Sequence, residues 1–107
     1  MKVITSLIFL LISTSVFASQ KDKCEDLFKL AIENFYLENS CKFDKHVSSS
    51  IRKEFEANNC TKLFNDSDMK SLNSEVLGDS YRKMKAVGRD KFCEKNKVKY
   101  NDLSKRY

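Results

Sequence analysis

The sequence predicts an all-α fold: a small four- or five-helix domain built on an antiparallel helical hairpin and stapled by two disulfides. Three observations carry that expectation. The 107 residues contain no Pro and only two Gly, Gly78 and Gly88, whereas tight turns between strands draw on Gly, Pro and Asn-Gly pairs. Apolar residues recur at three- and four-residue spacing, the period of a helix with one buried face. Four cysteines, an even number in a short chain, read as a disulfide framework.

The N-terminus reads as a secretory signal. One Lys follows Met1, no charge occurs from Val3 through Gln20, and Val16-Phe17-Ala18 places small residues before a cut. A membrane anchor needs roughly 18 or more predominantly apolar residues, and Thr5, Ser6, Ser13, Thr14 and Ser15 dilute this run. Residues 1–18 are therefore expected to be removed, leaving residues 19–107 as a single exported domain, periplasmic or secreted, with no membrane span. Cys24 lies six residues beyond the expected cut, which argues against an acylated N-terminus. Leu, Ile, Val and Phe make up 19 of the 89 remaining residues, close to the lower limit for a chain that folds alone. Such a core needs the crosslinks.

The first helix is expected to start at Asp22, with Glu25 completing a capping-box-like pair. Cys24, Leu27, Phe28, Ala31 and Phe35 then share one face, while Leu30, Ile32 and Leu37 point elsewhere. A helix with two apolar sides belongs at the centre. Asn39-Ser40 should end it. The second helix, over 44–58, carries Phe43, Val47, Ile51 and Phe55 at intervals of four. Asp44 would sit near its positive end, and Ser48-Ser49-Ser50 would weaken its middle. Asp66-Ser67-Asp68 signals a third helix with Met69, Leu72 and Val76 inward, ended or kinked by Gly78. Tyr81, Met84, Val87 and Phe92 mark a fourth, and Val98, Tyr100 and Leu103 a short C-terminal segment.

These helices constrain the cysteines. Residues 44–58 span roughly 20 Å at ~1.5 Å per residue, and Cα atoms more than ~7 Å apart cannot be bridged. Cys41 and Cys60 lie beyond opposite ends of that rod, and Cys24–Cys41 fails across the first helix for the same reason. A short connection makes the two helices antiparallel neighbours. That pairs Cys24 with Cys60 and leaves Cys41 for Cys93.

Catalytic and metal motifs are sparse. The cysteine gaps of 16, 18 and 32 residues do not suit zinc, and no Gly-rich phosphate loop, Gly-x-Ser-x-Gly or His-Glu-x-x-His occurs. His46 is the only histidine. On a helix it would project about 200° away from Asp44, so the two would not form a base and its orienting carboxylate. Glu25, Glu33, Glu54 and Glu75 are available for hydrolytic acid–base chemistry, yet nothing separates them from solvated helix glutamates. No catalytic, cofactor-binding or metal-ligating residue is assigned, and no cofactor is expected.

Charge is more informative. Residues 19–80 carry nine basic and twelve acidic side chains, whereas residues 81–107 carry ten basic and three acidic, a net +7. Nucleic acid is the usual partner of such a patch, but export removes the chain from it. The expected partner is a protein or an anionic envelope component, and Arg82, Lys85, Arg89 and Lys95 are the candidate binding surface. Tyr81, Tyr100 and Tyr107 are interleaved with these charges, and Tyr and Arg are enriched at interfaces. A solvated basic helix face is the competing explanation.

Arg89-Asp90-Lys91-Phe92-Cys93 resembles the Arg-Asp-x-x-Cys of helical, disulfide-bonded domains of the lysozyme-inhibitor LprI-like kind, a match of five residues. The general character is also similar to small periplasmic immunity proteins that neutralise cell-wall amidases. Both resemblances imply an exported, non-catalytic protein that binds another macromolecule, as an inhibitor or immunity protein. A small secreted hydrolase and a carrier of a small apolar ligand are the alternative expectations.

Overall fold

The computed structural model describes the backbone of residues 2–107 and the side chains of residues 19–107. The segment expected to be removed, residues 1–18, thus lies outside the residues whose side chains are described. Four helices follow in order: α1 (Lys2–Cys41), α2 (Val47–Ala57), α3 (Asp66–Val87) and α4 (Arg89–Arg106), with a 3-10 turn at Cys60–Leu63. No strand occurs among the described residues. Nor, among them, is any helix long and apolar enough to cross a membrane.

α1 is the central helix and touches every other element. It does not begin at Asp22. No Pro or Gly interrupts residues 2–41, so Asp22 and Glu25 sit inside the helix, and Glu25 pairs with Lys29 one turn on, at 3.2 Å. Pairings between α1 and α2 run in opposite directions: Cys24 meets Cys60, Phe28 meets Phe55 at 5.7 Å between ring centres, and Glu38 meets Ser48. The hairpin is antiparallel, as expected. Gln20 closes its open end by donating to the Asn58 carbonyl at 3.3 Å.

Both disulfides follow the expected pairing. Cys24–Cys60 and Cys41–Cys93 have Cα separations of 5.4 and 5.5 Å. They mark an oxidising compartment, since cytosolic thiols are kept reduced. The first closes the hairpin beside Leu27, Phe55 and Phe64. The second ties the bend to α4, next to the edge-on contact of Tyr36 with Phe92 at 6.0 Å.

Helix boundaries differ from the expectation at three places, each for a local reason. α2 starts at Val47, so Asp44 is outside it, and the serine run falls in its first turns instead of its middle. Lys42 (φ 61°) and His46 (φ 56°) take left-handed backbone to turn the chain. Tyr100 holds this corner by accepting from the Lys45 N–H at 3.0 Å. α3 passes through Gly78, because a helical Gly costs only about 1 kcal/mol and the buried Val76 and Ser80 on either side are packed. The break comes at Gly88, whose φ of 88° is left-handed backbone that suits Gly. Consequently the two expected segments around Phe92 and Tyr100 are one helix. At the other end of α3, Asn65 accepts from the Asp68 N–H at 2.8 Å in a capping box, one residue earlier than the expected signals.

The face expected to be apolar core is only partly so. Cys24 and Leu27 are buried, but Phe35 is 48% exposed, whereas Ile32 and Leu37, which point away from that face in different directions, are both buried.

One polar cluster ties the helices together. The Glu38 carboxylate accepts from the Tyr100 hydroxyl at 2.7 Å, from the Ser48 N–H at 3.4 Å, and from the Ser48 hydroxyl. Its negative charge sits at the N-terminus of α2, where unsatisfied N–H groups and the helix dipole favour it. Tyr100 is 1% exposed. Burial, and then its hydrogen bond to Glu38, push the phenol above its ordinary value of 10.0; the backbone N–H groups of Lys45 and Val47 act in the opposite sense.

Two predictions follow from these links. In the chain-entropy picture, loops of 36 and 52 residues are each worth about 4 kcal/mol, comparable to the whole stability of a small domain. Reduction is expected to abolish the helical circular-dichroism signal at ambient temperature, and a folded reduced protein would refute this. The second concerns Tyr100. Its raised pKa means that the stability it contributes is complete below pH 10 and lost as pH climbs through the higher folded value. Tyr100→Phe should cost about 1–2 kcal/mol at neutral pH. Thermal melts at pH 8 and 11 should show the gap to wild type shrinking at the higher pH.

Candidate binding surface

The basic C-terminal third falls on the last turns of α3 and the whole of α4. Arg82, Lys85, Arg89 and Lys95 are all exposed. On α3, Asp79 takes part of the charge, lying 3.8 Å from Arg82 and 3.0 Å from Lys83. That contact holds the Lys83 ammonium above its ordinary value. Lys85 lies over the ring of Tyr81, 5.8 Å from its centre, and Arg106 over Tyr107 at 5.9 Å. Of the two rings, Tyr81 is exposed, whereas Tyr107 is half-buried and packs against the core.

The four candidate residues do not form one face. Arg82 and Lys85 are neighbours on α3, but Gly88 redirects the chain after them. Arg89 and Lys95, six positions apart on α4, point about 120° away from each other. What α4 presents instead is a stripe of Lys91, Lys95, Lys99 and Arg106, bordering the buried Phe92 and Leu103. Val98 stands within it, 69% exposed, beside a shallow depression bounded by Lys95, Lys99, Asp102 and Arg106. The four-residue lysine spacing was legible in the sequence. Its neighbours on α3 drew attention away from it.

Other expected groups are scattered. His46 is exposed, precedes α2 in left-handed backbone, and its side chain makes no capping hydrogen bond. Glu25 pairs with Lys29, and Glu54 accepts from Asn58 at 3.3 Å. Glu33 and Glu75 lie on α1 and α3. Among the described residues, no group of three His, Cys, Asp or Glu side chains is placed to hold a metal ion. All four cysteines are in disulfides, so none is free as a nucleophile. Glu38 is the carboxylate with the most built surroundings, and its partners make it a helix cap. Sequence inspection could not find it, because Tyr100 lies 62 positions away.

A second feature lies on the far side of the hairpin. α1, α2 and the start of α3 enclose an apolar groove of about 280 Å³, floored by Phe28, Ile32, Phe35, Phe55 and Met69. Arg52 and Glu56 stand on its rim, and Phe35 is the half-exposed edge. Sequence reasoning had placed these aromatics in the core. They form a groove because α3 covers only part of their face.

The chain matches no protein-family model, no curated protein and no solved structure.

Proposed function

We propose that this chain is an exported, non-catalytic protein that binds another macromolecule of the periplasm or extracellular space, an acidic protein or an anionic envelope component, as an inhibitor or immunity protein does. The observation that supports this is uncompensated positive charge. Among the described residues, Arg89, Lys91, Lys95, Lys97, Lys99, Lys105 and Arg106 make no ion pair. Lys91, Lys95 and Lys99 are spaced roughly 6 Å apart along α4. Exposed charges are screened only beyond ~8 Å at physiological salt. Their fields therefore add, and a partner of opposite sign is steered to this side.

The test uses protein recovered from the periplasm or medium, whose intact mass should correspond to a chain starting at Ser19. Recovery in the membrane fraction with Met1 retained would overturn export. Reversing Lys91, Lys95 and Lys99 to Glu together with the expected Arg82, Lys85 and Arg89 should cut capture of the native partner from envelope extract by about tenfold, with circular dichroism unchanged. Capture by the unmodified protein should fall as salt rises. Undiminished capture by the folded variant removes the basic surface from the proposal, and turnover of a wall substrate by the pure protein would make the chain a hydrolase.

The groove supports a second reading, a carrier of a small apolar ligand. Its volume is close to the lower end of small-molecule pockets, ~300 Å³, and the floor is aromatic. An environment-sensitive apolar dye should bind with increased fluorescence, and Phe35→Asp should weaken that binding about tenfold without unfolding the chain. Equal dye binding by wild type and variant would dismiss this reading.

A further inference from the structure

The two crosslinks are unequally protected. Cys24 and Cys60 are both 0% exposed, within the apolar core cluster that includes Leu27 and Phe55. The Gln20 amide also donates to Cys24 Sγ at 3.9 Å. Cys41 and Cys93 are only partly buried, at the edge of that cluster. Thiol–disulfide exchange needs a thiolate to reach one sulfur, so access is the first determinant of which bond opens.

Charge favours the same bond. The electron pair released when a disulfide breaks is carried by a leaving thiolate, which positive surroundings stabilise. Cys93 is the fifth residue of α4, and its side chain tilts toward the positive end of that helix. Arg89 and Lys97 stand one turn before and one turn after it, and neither makes an ion pair among the described residues. Asp90 is the one acidic side chain at comparable spacing. Cys41 is the last residue of α1, at the negative end of its helix, so the pair leaves more readily on Cys93. Around Cys24 the corresponding positions hold Gln20, Lys21, Leu27 and Phe28, and Lys21 lies over the Phe64 ring at 5.9 Å.

The bond also has a joint beside it. α4 follows α3 through Gly88 alone, and beyond that joint it is held by the buried Phe92, Tyr100 and Leu103 and by Cys41–Cys93. The α1–α2 hairpin has its own crosslink, Cys24–Cys60. We propose that Cys41–Cys93 is a redox latch, which a dithiol opens selectively so that α4 is released about Gly88 while the hairpin stays closed. One thiolate of the dithiol attacks Cys41 Sγ, and the Sγ–Sγ bond breaks with its electron pair on Cys93. The second thiol of the reductant then displaces Cys41 from the mixed disulfide. Two electrons pass to the cystine, the two thiol protons end on Cys41 and Cys93, and the reductant leaves as a disulfide. In an oxidising compartment the latch is closed. The proposal does not rest on what binds the basic surface, although Lys91, Lys95 and Lys99 travel with α4.

The test is graded reduction of the oxidised protein with dithiothreitol at neutral pH, quenched by alkylation and mapped by peptide mass spectrometry. The first reduced species is expected to carry label on Cys41 and Cys93 with Cys24–Cys60 intact. It should form about tenfold faster, or more, than Cys24 and Cys60 become labelled. Amide hydrogen exchange of that species should quicken by about tenfold or more over residues 89–106, with residues 24–57 still protected. First labelling at Cys24 and Cys60, or simultaneous labelling of all four cysteines, overturns the proposal. So does an α4 that remains as protected as in the oxidised protein, since the bond would then hold nothing closed, and so does loss of protection across the hairpin.

Discussion

A crosslink at each end of the Cys24–Cys41 stretch of α1 is the constraint from which the remaining geometry follows. The stretch is about 25 Å long at ~1.5 Å per residue, and its two ends are bonded to different elements, the 3-10 turn that follows α2 and the first turns of α4. A helix fixed at both ends cannot slide along its neighbours, so the crosslinks hold the register of the hairpin. The apolar contacts then need only fill the space between, which suits a chain with few Leu, Ile, Val and Phe. Small exported domains generally reach stability this way, because a core of this size does not outweigh the entropy of ordering the chain.

The second fixture is polar and sits close to the Cys41–Cys93 bond. Glu38, Ser48, Lys45 and Tyr100 join the end of α1, the corner at residues 42–46 and the middle of α4. Phe43 lies 4.8 Å from the Tyr100 ring, so the same corner is also packed. A carboxylate brought toward the interior is costly unless every acceptor is used. Here the α2 N-terminus supplies donors that would otherwise be orphaned. The arrangement explains how α2 starts after a His with no side-chain cap: the cap arrives from another helix.

Much of the fold was readable from residue spacing. Period-four apolar positions located α2, Asp66-Ser67-Asp68 located the start of α3 to within one residue, and rod length with a short antiparallel connection picked one disulfide connectivity out of three. The misreadings have a common physical source. Local signals report what a segment can do in isolation: Asp22 and Glu25 can cap a helix but equally lie inside one, the first turn of α2 is capped by Glu38 from α1, and Gly78 sits between the buried Val76 and Ser80. Gly78 and Gly88 look alike in sequence. Only Gly88 occupies left-handed backbone, because the chain must leave α3 there to return along α1. Phe35 was placed in the core for the same reason: helical periodicity says which residues share a face, but not how far the neighbouring helix extends over it.

The surface features were less legible, and charge explains the difference. A charge excess is additive and survives in any fold, so the basic C-terminal third could be seen from composition. Which cations stand together depends on where the helix breaks, and moving that break from Gly78 to Gly88 changes the grouping. With one helix running from Arg89 to Arg106, Lys91, Lys95 and Lys99 align, while Arg82 and Lys85 belong to a separate rod.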